Sequence, residues 1–165
     1  MENQIYCAIT GTTTTAYSPN AEAREAVAKT LREQIRDGVT DYLCNAGQGF
    51  PLWVCEILID IRDTRIHHHL NAPQVHLVMP NERQADDYDD ETHERFFDVH
   101  AKADTVTILS EEYQDNPLEN SERFMIDGCD FLFTDDEDGF GARFAAEDSV
   151  QVVVFPMLAG VAMNV

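Results

Sequence analysis

The chain has 165 residues, enough for one domain that buries a core without staples, and its four cysteines, Cys7, Cys44, Cys55 and Cys129, follow no pairing or metal-ligand spacing. Eleven Lys and Arg stand against thirty-one Asp and Glu, a formal net charge of -20 that disfavours nucleic acid as a partner, since phosphate binding needs clustered cations; a small anion held by backbone N–H groups stays open. No run approaches the roughly 20 apolar residues of a membrane span, and "MENQ" is no basic signal start, so a soluble, reduced, cytoplasmic protein is expected.

The first apolar run, Ile5 to Ile9, predicts a strand, and "GTTTTAYS", Gly11 to Ser18, follows it. This stretch stands where a phosphate loop would, but Ala16 and Tyr17 occupy the places of that motif's second glycine and lysine. Ser18 and Pro19 predict a helix start, with Ala23, Val27, Leu31 and Ile35 on one face and Gly38 as its end. A second strand, Tyr42 to Cys44, leads into "NAGQGF" with Gly47 and Gly49. Pro51 then opens a largely buried helix, apolar from Leu52 to Ile61 apart from a stripe of Glu56, Asp60 and Asp63. His67 to His69 read as a solvated loop more readily than a zinc site, because adjacent side chains diverge.

Val75 to Met79 predicts the third strand, and the acidic stretch Asp86 to Glu94 a solvated loop or helix start. A helix from about Asp89 to Ala103 and a strand from Val106 to Leu109 follow. Asn116 and Pro117 open a fourth helix that ends near Gly128, with Phe124 and Met125 as its apolar contacts. Phe131 to Phe133 predicts a strand, Ala142 to Glu147 a short helix, and Val150 to Phe155 a last strand. The charge-free tail 156–165 reads as an extra strand, a subunit contact in a homo-oligomer, or a frayed end.

Strands alternating with helices imply an α/β, Rossmann-like three-layer domain with a mostly parallel sheet of about six strands, occupying 1–165 as one unit. Ligands in such sheets bind beyond the carboxyl ends of the strands, where strand order reverses. The loops to search are therefore "TGTTTTAYS", "NAGQGF" and "TDDEDGFGAR", which supply Gly11, Thr12, Thr13, Gly47, Gly49, Gly139, Gly141 and Arg143 as candidate ligand-binding residues. Glycine lets backbone approach a ligand closely, but paired glycines also make ordinary tight turns. "DDEDG", Asp135 to Gly139, fails as a calcium loop because Ala145 falls where the bidentate glutamate belongs. No metal ligand set is assigned; a magnesium ion bridging these acids to a ligand phosphate is the one cofactor the segment leaves open.

"CNAGQGFPLWVCEIL", "QVHLVMPNERQ", "ADTVTILSEEY", "NSERFMIDGCDFLF" and "GARFAAE" together resemble the YpsA-like group of the SLOG superfamily, which also holds the DprA and LOG families. The resemblance runs from about Ile5 to Phe155 and implies a Rossmann-like fold whose glycine-bearing loops recognise a nucleotide or nucleotide derivative. Thr10 and Gly11 match the family's "TG", Gly49, Trp53 and Glu56 its "G...W..E", and Arg123, Met125, Asp127 and Asp130 its "R.yMvd.sD", with Gly139 and Gly141 for the final glycine loop. The basic residue usual after the first strand is missing, and Pro51 replaces an acid.

In this light "GTTTT" is either a hydroxyl wall for ribose or phosphate oxygens or a turn whose threonines bond their own backbone. Gly49 would aim the next helix N-terminus at a phosphate, and Arg143, the one basic residue of the three loops, would pair with an anion unless it is an ordinary surface arginine. The leading expectation is a module that binds or senses a nucleotide or nucleotide derivative. A nucleoside-phosphate hydrolase or transferase related to the LOG phosphoribohydrolases is the enzymatic alternative, although Ala142 and Ala145 replace the threonine and glutamate of "PGGxGTxxE". Glu56 is its candidate acid or base if the pocket reaches it, against a structural glutamate fixed by hydrogen bonds. The third reading is a non-catalytic interaction protein, and a DprA-like role on single-stranded DNA ranks last on charge.

Overall fold

The computed structural model describes residues 3–14, 17–110 and 115–155. Thr15 and Ala16 of the first loop and the tail 156–165 lie outside the described residues. Six strands, β1 (Tyr6–Ile9), β2 (Asp41–Cys44), β3 (Gln74–Asn81), β4 (Thr105–Ser110), β5 (Phe131–Thr134) and β6 (Gln151–Val154), alternate with five helices, α1 (Ala21–Arg36), α2 (Phe50–His67), α3 (Asp90–Lys102), α4 (Pro117–Asp127) and α5 (Phe140–Glu147). The strands form one sheet in the order β4-β3-β2-β1-β5-β6. Every pairing among the described strands is parallel, so the fold is the expected Rossmann-like α/β sandwich.

Parallel neighbours need crossovers, and right-handed crossovers place α1 to α3 on one face and α4 and α5 on the other. The packing agrees: α2 touches α1 and α3, while α4 and α5 touch each other. The inner strands are apolar because both faces are covered. Cys7, Ile9, Tyr42, Cys44, Val75 and Leu77 enter the core under α1 to α3, whereas Ala8, Leu132 and Val78 meet Met125 and Ala145 of α4 and α5. From β1 the chain steps outward to β4, then returns to place β5 beside β1, pairing Ile9 with Phe133. The order reverses there, which puts a crevice at the carboxyl ends of β1 and β5.

Local chemistry moves some predicted boundaries. Helix α1 starts at Ala21 because Asn20, not Ser18, is its cap: the Asn20 side chain accepts the Ala23 N–H at 2.8 Å. Helix α5 starts at Phe140, two residues early, with Gly139 as its cap. Phe124, expected as an apolar contact of α4, is 51% exposed, while Met125 next to it is buried. His67 ends α2, and all three histidines of that run are exposed.

The loops after β1 and β2 are zipped together by backbone. Thr13 and Gly49 form an isolated antiparallel bridge, in which the Phe50 N–H donates to the Thr12 carbonyl at 2.9 Å and the Thr14 N–H to the Gln48 carbonyl at 3.0 Å. Gly49 sits at φ 114°, and a Cβ there would lie 2.5 Å from the Thr12 oxygen. Gly49→Ala should therefore lose at least about 2 kcal/mol of unfolding free energy in urea titrations. Gly128→Ala, at a negative φ with nothing within 4 Å of the new Cβ, should stay within about 0.5 kcal/mol of wild type. Equal losses at the two positions would contradict this account of the loop closure.

Candidate functional site

Helix N-termini hold anions through unpaired N–H groups, but the first turn of α2 has its donors engaged internally. Phe50 donates to Thr12, Pro51 has no N–H, and Leu52 donates to the Gly47 carbonyl at 3.0 Å. The helix is thus capped by the β1 loop, and Gly49 serves that closure instead of aiming the helix at a phosphate. Nearby, the Thr12 N–H donates to Asp135 Oδ1 at 2.7 Å. Burial holds the Asp135 carboxyl above its usual range, with the Thr12 hydrogen bonds pulling the other way. Gly11 is pressed between Asp135 and the Phe50 ring, and a Cβ on Gly141 would lie 2.5 Å from Thr10 Oγ1. These glycines let α5, the β5 loop and the β1 loop meet.

The crevice is a cleft of about 270 Å³ whose walls include Thr10, Gly11 and Thr13 after β1, Thr134, Asp136, Gly139 and Gly141 after β5, and Leu118, Glu119 and Glu122 from the first turns of α4. Its polar groups are hydroxyls and three carboxylates. Burial, then repulsion from Glu119 and Asp136, raises the pKa of Glu122 to about 7. A second cleft of about 420 Å³ lies over the ends of β2 and β3, lined by Gln48, Asn81, Arg83, Gln84, Asp86, Asp87 and Tyr88. Thr13 and Leu118 line both clefts, so the two adjoin as one groove.

The floor of the groove is rigid. Asn45 Nδ2 donates to Ser121 Oγ at 3.0 Å, which ties the β2 loop to α4, and Asn45 Oδ1 accepts the Gly47 N–H at 2.9 Å. From the other side Gln84 Nε2 donates to the Asn45 carbonyl at 2.6 Å, and the Tyr88 hydroxyl reaches the Ala46 carbonyl at 3.4 Å. Arg83 stands exposed at this end, its N–H turned onto Asn81 Oδ1 and its guanidinium in no ion pair among the described residues.

Four of the residues expected from sequence, Gly11, Thr13, Gly139 and Gly141, meet in the first cleft. Thr12, Gly47 and Gly49 shape its neighbourhood through the bonds above. Arg143 is exposed on α5 and lines neither cleft. Glu56 also lies outside both: Arg95 grips its two carboxylate oxygens, Nη2 to Oε1 at 2.5 Å and Nε to Oε2 at 3.1 Å, joining α2 to α3. Arg123 lies over the Phe140 and Phe144 rings at 5.5 and 5.1 Å from their centroids. Sequence reading singled out Asp136 only within the acidic run Asp135 to Gly139; it missed Glu119 and Glu122, and it missed Arg83, although "MPNERQ" offers a cation just after a strand. Among the described residues no group of three or more His, Cys, Asp or Glu is placed to hold a metal ion, and no helix is long and apolar enough to cross a membrane.

The raised pKa of Glu122 has a pH signature. The folded state holds the proton up to about 7 while the unfolded chain releases it in the usual carboxylate range, so this group's stabilisation is complete in acid and is lost as pH rises through about 7. Glu122→Gln should remove that loss and raise stability at pH 8 by roughly 1–3 kcal/mol relative to wild type, with little gain near pH 4. Denaturant titrations across this range test it, and parallel pH profiles for the two proteins would contradict it.

The family profile described as the YspA SLOG family (YpsA) matches residues 20–152. No curated protein matches the chain. Among solved structures, the chain is similar to the DNA processing protein A of Helicobacter pylori, reported for its single-stranded DNA binding mode, with a TM-score of 0.61 and 14% identity. The likeness covers 92% of this chain and 65% of that one, so the chain spans a little under two thirds of that protein's length. That neighbour overturns the expectation, drawn from composition, that nucleic acid is an unlikely partner: a chain-wide charge of -20 does not measure the charge of the surface that meets a ligand. The match over more than half of the residues gives the family: the chain belongs to the YspA SLOG family.

Proposed function

We propose that the groove binds a nucleotide or nucleotide derivative, within a single SLOG-like unit formed by the chain. The observation that carries this reading is the opposed chemistry of its two ends. Glu119, Glu122 and Asp136, with the Thr10 and Thr13 hydroxyls, accept hydrogen bonds and suit ribose hydroxyls or base N–H groups. They repel phosphate. Arg83, across the Thr13 and Leu118 border and beside Asp86 and Asp87, is the one cation of the groove's lining among the described residues and the group that a phosphate would pair with. A ligand with a sugar at one end and phosphate at the other spans both clefts, whose volumes of about 270 and 420 Å³ together fall in the range of small-molecule sites.

Gly11, Thr13, Gly139 and Gly141 then face the ligand, and Gly47 and Gly49 hold the loops that do. A single strand carries the same sugar and phosphate units, and the Helicobacter pylori neighbour is described by its single-stranded DNA binding, so a short oligonucleotide belongs among the ligands tried. The test is a thermal-shift panel of nucleotides, dinucleotides, ADP-ribose, cyclic nucleotides and short oligothymidylate on wild type, Arg83→Glu and Glu119→Lys. A ligand at about 100 times its Kd stabilises the native state by about 2.7 kcal/mol, a readable rise in Tm. Arg83→Glu should abolish that rise for nucleoside monophosphates and cyclic nucleotides. A rise with these monophosphates that both variants keep, or no rise with any ligand, would overturn the reading.

A further inference from the structure

At the opposite end of the sheet, where the strands begin, the structure holds another cleft, of about 1000 Å³. Its lining draws Lys29, Arg32, Arg36 and Arg65, four of the chain's eleven basic residues, but only Glu33 of its thirty-one acids. In a protein of net charge -20 this is a local reversal of sign. Lys29, Arg32 and Arg36 follow one another at i, i+3 and i+7 along α1, a row of about 10 Å. Arg65 faces them from the last turn of α2. Arginine near a helix C-terminus is ordinary, because it complements the dipole. That accounts for Arg36 and Arg65, and it leaves Lys29 and Arg32, one to two turns earlier, unexplained.

The acids around the row are weak competitors. Glu25 meets Arg32 at 2.8 Å and Asp37 meets Arg36 at 3.4 Å, both as exposed pairs that solvent screens, and Lys29 makes no ion pair among the described residues. Arg65 donates through Nε to the Asn71 carbonyl, which fixes the side chain and leaves its terminal nitrogens for a ligand. Several cations around one open cleft suit an anion bearing more than one phosphate, since guanidinium forks match phosphate oxygens in pairs. The lining contains no Phe, Tyr, Trp or His on which successive bases could stack, which favours a free phosphate chain over the backbone of a strand.

We propose that this cleft is a second binding site, separate from the groove at the carboxyl ends of the strands, for a free ligand carrying a di- or triphosphate chain. The experiment is calorimetric titration of inorganic tripolyphosphate, and separately of short oligothymidylate, into wild type, the double variant Arg32→Glu/Arg36→Glu, Lys29→Gln, and Arg83→Glu. The substituted side chains are exposed, so the variants should keep the wild-type circular dichroism spectrum. A tripolyphosphate binding event should persist in Arg83→Glu, and that event should lose about tenfold or more in affinity in the double variant and less in Lys29→Gln. No binding of tripolyphosphate, loss on Arg83→Glu with retention in the double variant, or tighter binding of oligothymidylate through Arg32 and Arg36 would each overturn the proposal.

Discussion

The backbone closure between the loops after β1 and β2 is the constraint on which the site depends. A helix must satisfy its first N–H groups, and α2 does so with the Thr12 and Gly47 carbonyls, a proline and no side-chain cap. The closure demands a left-handed φ at Gly49 and brings Phe50 against Tyr17, Trp53, Phe133 and Phe155, an aromatic cluster that anchors the β1 loop from below. It also occupies the first N–H groups of α2, so that helix offers no backbone cradle for phosphate. On the proposed reading, recognition then falls to side chains from α4 and from the loop after β3.

Charge placement follows from the same division. Glu119 and Glu122 project from the first turns of α4, where carboxylates are favoured by the helix dipole, and Asp136 faces them from the β5 loop. Burial, and then repulsion from Glu119 and Asp136, raises the Glu122 pKa to about 7. Arg83 lines the cleft on the other side of the Thr13 and Leu118 border, beside Asp86 and Asp87. Net charge describes none of this placement: it does not show that, among the described residues, one cation lines the groove, or that four gather in the cleft where the strands begin.

The fold was legible in the sequence because its cues are local. Six β-branched or aromatic runs became six strands, and glycine, proline and acidic caps marked the helices within a few residues. The exceptions have local causes too. Asn20 outcompeted Ser18 as the cap because its side chain reaches the Ala23 N–H, and Phe124 fell on the outer side of α4 although Met125 beside it is buried. The site was legible only in part. Gly11, Thr13, Gly139 and Gly141 could be found because they sit in loops after strands. Glu122 and Arg83 gain their meaning from residues distant in sequence, Asp136 and Leu118, and no spacing rule joins such partners. Glu56 showed the converse: a conspicuous buried-helix carboxylate that tertiary packing commits to Arg95.

The central claim is that a nucleotide-type ligand occupies the groove where strand order reverses, and methyl-resolved NMR during titration with ADP-ribose tests it most directly. The account predicts perturbations of the Leu118 and Thr13 methyls, which border both clefts, with the Ile5, Ile35 and Val39 methyls below the sheet responding only as the phosphate-binding cleft fills. Leu118 and Thr13 methyls that stay unmoved at saturating ligand would contradict it.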